Sequence, residues 1–520
     1  MSEKINEKKW LLIFSIFLIL ITSLPYFYGF ELVKTNDAQF SGFIFGVEDG
    51  NSYIAKMLLG QKGDWLFRTP YTAYEQKGFL AFLPYILLGK LASSPDNHIQ
   101  FVILFHLFRC LGIIFLVFEI YYFIKIFLTS TSMLWTALLI SCVGGGLGWI
   151  SIIVYKSIPL EFYSPESFGF LSLFGLPHLC FSRGLMIRSF RMIISPGKDV
   201  FYIDRKITSG IYLFLSGLFQ PLNIPLGWIL IGAWKLFTLV SNKDYKIKDP
   251  IKELVFYILI PLPFFLYNAF MFLFDPYLRS WETQNIIKSP PPLEYFLAYG
   301  LGYFCILYSL FILKNHPKHN IFLIIWSVLL PVLVYLPINL QRRLADGFWI
   351  VLSIFITIVI YSIKKRFWRW ILIGVSCLST IFLLIGSLNA VQNQQAPIFQ
   401  QNEMIEIFNE INKEGEINDV VLAPYAISNI LPAHVPMRVV TGHGPESKNL
   451  KEIDSFIDFF SQGSVSDEQM QIFFQQFGIR FVIFESSSPG IKNFEEYFFE
   501  EKLFENSYYS LYQLNVNEDL

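Results

Sequence analysis

The chain has 520 residues, of which 54% are hydrophobic and 16% charged, and a formal net charge of −1. That composition is too apolar for a soluble protein of this size and reads as a polytopic membrane protein. The 55 phenylalanines and 27 tyrosines suit lipid-facing and interfacial positions and, without clustered Lys and Arg, exclude a nucleic-acid surface.

The near-neutral balance joins two unlike parts. Residues 390–520 carry 20 acidic and 7 basic side chains, which leaves 21 acidic and 33 basic for residues 1–389. The expected organisation is a membrane domain over 1–389 and a soluble acidic α/β domain over 390–520. Cys110, Cys142, Cys180, Cys305 and Cys377 all fall in or beside hydrophobic segments, so they report neither a disulfide framework nor a metal motif.

"WLLIFSIFLILITSLPYFYGF", residues 10–30, follows the basic start "MSEKINEKK" without a small-residue cleavage site, which predicts an uncleaved first span. Further spans of about 20 apolar residues are expected at 99–124, 133–155, 222–240, 252–274, 294–314, 320–338, 346–363 and 368–388. Weaker segments are 79–92, 168–187 and 207–220. Cytoplasmic loops are marked by Lys243, Lys246, Lys248 and Lys252, by Lys314 and Lys318, by Lys364, Lys365, Arg366 and Arg369, and by the basic run from Arg188 to Lys206. These marks put the N-terminus inside and the acidic domain outside. They also require an even number of crossings between the exterior loops at 31–78 and 156–167, where three hydrophobic segments compete. Either 79–92 is re-entrant or interfacial, or 133–155 breaks at its three glycines, 144–146; the first gives about 11 spans, within a range of 10 to 13.

The first exterior loop, 31–78, is long and rich in aromatic and turn residues, which argues for function over disorder. "GVEDG" places Glu48 and Asp49 side by side, with Tyr53, Lys56 and Arg68 following. A carboxylate here can take a proton from an acceptor hydroxyl or hold a divalent cation. The structural alternative is that Glu48 caps a helix beginning near Asn51. Glu166 and His178, in "SPESFGFLSLFGLPHLCFSRG", bring ionisable groups to a span, although a single histidine is more often a packing residue. Arg342 and Arg343, in "NLQRRLADG", run against the positive-inside tendency and suit an anionic substrate. Lipid headgroups, or pairing with Asp346, would satisfy them equally. His434 and His443 lack metal-ligand spacing, and there is no Walker, dinucleotide or zincin motif.

In the acidic domain, Met404, Ile407, Phe408 and Ile411 fit one helical face, as do Ile453, Phe456, Ile457 and Phe460, and then Met470, Phe473, Phe474 and Phe477. "DVVLAP", "MRVVTG", "RFVIFE" and "YSLYQLNV" read as short strands.

One span, a long exterior loop with "ED" near its start, about ten more spans and a soluble exterior domain together resemble the GT-C superfamily of membrane glycosyltransferases, in particular its bacterial dolichyl-phosphate-mannose and aminoarabinose transferase-like branch. "GDWLFRTPYTAYEQKGFLAFLPYILLGKLA" and "NLQRRLADGFWIVLSI" are similar to passages of those relatives. The resemblance implies a bacterial plasma-membrane enzyme that moves a sugar from a polyprenyl-phosphate donor to a glycan, lipid or protein acceptor outside the cytoplasm. It makes Asp49 or Glu48 the general base or metal-contacting residue, and Arg342 and Arg343 the donor-phosphate ligands. Arg68, Tyr53, His178 and Glu166 are further candidate substrate contacts. Members often carry a second acidic position in a later exterior loop; Glu161 and Glu166 fill it only loosely, so a divalent metal is implied without a clear ligand set. Two other readings remain open: a transporter or flippase of a lipid-linked precursor, and a non-catalytic assembly protein.

Overall fold

The computed structural model describes residues 2–33, 38–93, 98–195, 204–241, 248–312, 320–490, 494 and 501–514. Lys243, Lys246, Lys314 and Lys318, on which part of the expected topology rests, lie outside the described residues, as do residues 515 and 516 of the last expected strand.

Six helices among the described residues are long and apolar enough to cross a membrane: Asn6–Val33, His98–Ile124, Asn223–Ser241, Leu254–Phe274, Pro292–Phe311 and Gln341–Ser362. The pair Arg366–Ser376 and Leu378–Gln392, bent by 42°, makes a seventh if the two are one span. The protein is therefore an integral membrane protein, and among the described residues the helices of full spanning length do not add up to the eleven or so expected. The reasons are local. Segment 79–92 yields only the seven-residue helix Leu83–Gly89, roughly 10 Å long against a hydrocarbon core of about 30 Å. Segment 133–155 stops as a helix at Val143 and resumes only for Trp149–Val154. Segment 168–187 divides at Leu176 into Gly169–Gly175 and Pro177–Ile194. Segments 207–220 and 320–338 form the shorter helices Arg205–Phe219 and Asn320–Leu333.

The chain forms two compact units. The first comprises Met1–Leu24, Leu107–Phe270 and Ile286–Leu388 and is helical. At its centre, helix Phe348–Ser362 is buried on every side over Phe348–Thr357, as expected of a helix that is apolar all round. Two of its polar groups are met by neighbours: Ser353 Oγ lies 2.5 Å from Ser141 Oγ, and Trp349 Nε1 donates to the Ile140 carbonyl at 2.8 Å. The three-glycine break has a packing cause. A Cβ on Gly146 would collide with the Ala298 carbonyl, so the chain passes against helix Pro292–Ile312 only as glycine.

The second unit joins Pro25–His106 and Met271–Asn285 to Asn389–Leu520. Its five-stranded sheet runs in the order Arg438–Val439, Val420–Leu422, Ile479–Glu485, Tyr509–Gln513, Glu501–Glu505; the first three strands are parallel and the last two antiparallel to their neighbours. Strand alternation sends Phe481 and Ile483 to one face, with Met404, Ile407, Phe408 and Ile411 of helix Asn402–Glu414. Val482 and Phe484 go to the other, against Ile453, Ile457 and Phe460 of Leu450–Ser461 and Met470, Phe473, Phe474 and Phe477 of Asp467–Phe477. The result is a three-layer α/β unit.

The long loop after the first span is, in its described residues, part of this unit. Ala38–Phe40 pairs antiparallel with Phe399–Gln401, and the Pro70 carbonyl accepts from Val439 N at 2.8 Å. Tyr71 enters one core layer and Ala73 and Tyr74 the other, which explains how a loop of this length is held in place.

Candidate active site

Helix Val47–Gln61 starts four residues earlier than the capping alternative places it, immediately after Gly46 in the left-handed region (φ 57°). Glu48 and Asp49 occupy its first turn, where the helix dipole favours carboxylates. Asp49, Ser52 and Lys56 follow at helical spacing and so share a face. Both carboxylates are exposed, whereas Ser52 and Lys56 are buried.

That face meets the loop 440–447, which leaves the C-terminal end of strand Arg438–Val439. His443 Nε2 lies 3.4 Å from Asp49 Oδ1, and His443 Nδ1 lies 3.6 Å from Glu446 Oε1. Glu446 is buried and fully engaged: Lys56 Nζ stands 2.7 Å from Oε1, Ser52 Oγ donates to the same oxygen at 3.2 Å, and Thr69 Oγ1 donates to Oε2 at 2.6 Å. Lys56 also donates to Ser52 Oγ, and its ammonium lies 4.1 Å from the centre of the Phe82 ring. Glu48 takes a different partner, accepting from Tyr425 Oη at 3.2 Å, and the same hydroxyl accepts from Gly444 N.

Burial works to raise the Glu446 carboxyl, but Lys56 and His443 hold it below its ordinary 4.5. Burial works to lower the His443 imidazole, and Glu446 and Asp49 outweigh it, holding the ring above 6.5. The loop is fixed mainly through its backbone. Ser447 Oγ accepts from the amides of Gly442 and His443, Asn429 Nδ2 donates to the Gly442 carbonyl, and Tyr277 Oη donates to that of Glu446.

Topology accounts for this convergence. The connection after Val420–Leu422 leads to helix Tyr425–Ile430 on one face of the sheet, whereas the connection after Arg438–Val439 leads to Leu450–Ser461 on the other. Adjacent parallel strands whose connections diverge open a crevice at their C-terminal ends, the favoured place for a site in an α/β sheet. Tyr425 and His443 both stand just beyond those ends.

In the first unit, Arg342 and Arg343 lie on the short helical turn Gln341–Ala345, and Gly347, at φ 78°, redirects the chain into the central helix. Asp346 does not pair with them. It is taken by Arg183, whose Nε lies 2.6 Å from Oδ1, and by Asn223, which donates to Oδ2 at 2.9 Å. Arg343 Nε lies 3.5 Å from Glu166 Oε1, while Arg342 stacks on the Tyr163 ring with its guanidinium carbon 5.0 Å from the centre. Among the described residues the Nε groups of both arginines lack a hydrogen-bond partner. Next to this turn an apolar cavity of about 270 Å³ is lined by Tyr295, Tyr299, Tyr303, Leu307 and Tyr335 among others.

No family model matches the sequence, and a search of the curated proteins finds no match either. Solved structures do match. The oligosaccharyltransferase of Archaeoglobus fulgidus, tethered to an acceptor peptide, aligns over 92% of this chain and 69% of its own, with TM-score 0.58 and 10% identity. The same organism's AglB with an inhibitory peptide and a dolichol-phosphate aligns over 92% and 70%, with TM-score 0.55 and 10% identity. ArnT of Cupriavidus metallidurans, bound to undecaprenyl phosphate, aligns over 95% and 97%, with TM-score 0.52 and 9% identity. The chain has the GT-C fold.

Within this GT-C fold the remaining expected site residues fall in different surroundings. Arg68 is exposed and lines a cavity of about 360 Å³ with Asp64, Glu75, Gln76 and Arg438. Tyr53 is buried in a ring stack, 4.4 Å from Tyr85. His178 is half-buried at the second position of helix Pro177–Ile194. Among the described residues no group of three or more His, Cys, Asp or Glu side chains is placed to hold a metal ion. Asp49, His443 and Glu446 do come together, but Lys56 already supplies the cation there. Glu161 is buried elsewhere, accepting from Gly148 N at 2.9 Å. His443, Glu446 and Tyr425 are residues that motif spacing missed. The available signal was a Gly-His-Gly-Pro-Glu run directly after a short predicted strand, where an α/β sheet carries its chemistry.

Proposed function

We propose that this GT-C chain is a glycosyltransferase that moves a sugar from a polyprenyl-phosphate donor to an acceptor outside the cytoplasm of a bacterial cell. Asp49 accepts the proton of an acceptor hydroxyl as that oxygen bonds the anomeric carbon. The bond from the anomeric carbon to phosphate breaks with inversion, and its electron pair stays on the lipid phosphate. Arg342 and Arg343 neutralise that phosphate, with electrostatic preorganisation contributing much of the rate, and the tyrosine-lined cavity beside them takes part of the lipid.

The observation that carries this reading is an exposed carboxylate, Asp49, anchored to a buried charged network at the crevice of the α/β sheet. The donor side is tested by native mass spectrometry of the detergent-solubilised protein with undecaprenyl phosphate. Wild type retains the lipid, and the double variant Arg342→Ala, Arg343→Ala loses most of it. Equal retention by both would remove these arginines from the donor site.

A further inference from the structure

We propose that His443, from the C-terminal domain, is the positioning residue of the acidic centre: held between Glu446 and Asp49, it orients the Asp49 carboxylate for proton acceptance. This deepens the reading of Asp49 as base and rests on it.

Asp49 stands on an exposed first turn, where a carboxylate would ordinarily rotate freely. The ring of His443 cannot follow such rotation. Its backbone amide donates to Ser447 Oγ at 3.1 Å, the centre of its ring lies 5.2 Å from that of Tyr71, and only 9% of the residue is exposed. With Nδ1 turned toward Glu446 at 3.6 Å, Nε2 is aimed at Asp49 Oδ1.

The charged and titratable groups facing the ring are Asp49 and Lys56 of helix Val47–Gln61, Glu446 of its own loop and Tyr71 of the exterior loop. Lys56 already balances Glu446 at 2.7 Å, which leaves Asp49 as the partner of the imidazole. The neighbouring carboxylate is separated from this system, since Glu48 accepts from Tyr425. The geometry therefore distinguishes two adjacent acids: Asp49 is coupled to a histidine, and Glu48 to a phenol. The exterior domain supplies part of the catalytic machinery in consequence.

The test uses the full-length protein in detergent and two readouts. In turnover of a polyprenyl-phosphate sugar, His443→Ala lowers kcat about tenfold or more, the effect of losing a hydrogen bond to a charged group, and leaves the donor KM nearly unchanged. His443→Gln, which keeps an N–H donor, recovers a substantial part of the loss. The second readout needs no substrate. Carbodiimide-driven coupling of glycine ethyl ester, read by peptide mass spectrometry at a temperature where both proteins are folded, labels Asp49 faster in His443→Ala than in wild type, with Glu48 labelling unchanged.

Full activity of His443→Ala beside an inactive Asp49→Asn would overturn the role of His443 and leave the Asp49 reading intact. Full activity of Asp49→Asn would remove the base itself. Unchanged Asp49 labelling in His443→Ala would overturn the coupling whatever the donor proves to be.

Discussion

Arg183 holds Asp346 at 2.6 Å with both side chains buried, and the same guanidinium donates to the carbonyls of Pro165, Glu166 and Phe168. One side chain thus fixes the segment bearing Glu166 and the turn bearing Arg342 and Arg343. Because removing one member of a buried pair leaves the other uncompensated, Arg183→Met should cost about 3–5 kcal/mol. Thermal unfolding in detergent measures the cost, and hydrogen exchange should show lost protection at residues 166–168. Unchanged exchange there would mean that the carbonyl contacts are incidental.

Glu446→Gln strands the ammonium of Lys56 among Phe67 and Phe82 and should also destabilise by about 3–5 kcal/mol. Adding Lys56→Met removes the stranded charge and should recover much of that loss. An unfolding temperature for Glu446→Gln equal to wild type would contradict the assigned network.

The pH dependence follows from opposite shifts. His443 is held above its ordinary 6.5, so its contribution to stability is complete below that pH and is lost as pH rises through the folded value. Glu446 is held below 4.5, so its contribution is complete above that pH and is lost as pH falls through the folded value. Both operate together between 4.5 and 6.5. The unfolding-temperature difference between wild type and His443→Gln, measured across pH, should be largest in that interval and shrink as pH rises through the folded value. A difference independent of pH would show that His443 carries no charge in the folded state.

The helices and strands between residues 402 and 513 were legible because their signals were local. The apolar spacing of Met404, Ile407, Phe408 and Ile411, and the β-branched runs around Val420 and Ile483, state their own period, and the structure places helices and strands at those positions. Span count was less legible. Hydropathy registers the apolar length of 133–155 but not the close approach of Ala298 to Gly146 at the break. Asp49 stood out as an acid in an apolar chain, whereas His443 acquires a role only through a pairing between positions far apart in sequence. Lys56, Thr69 and Glu446 follow the same rule. Each looks ordinary in its own stretch, and sheet topology makes them one network.

The most direct measurement compares purified wild type with Asp49→Asn. Each is incubated with a panel of polyprenyl-phosphate sugars, with and without divalent cations, and free polyprenyl phosphate is scored by mass spectrometry. The expected result is release by wild type from at least one donor and its loss in Asp49→Asn. Release by both proteins alike, or none from any donor by folded wild type, would contradict it.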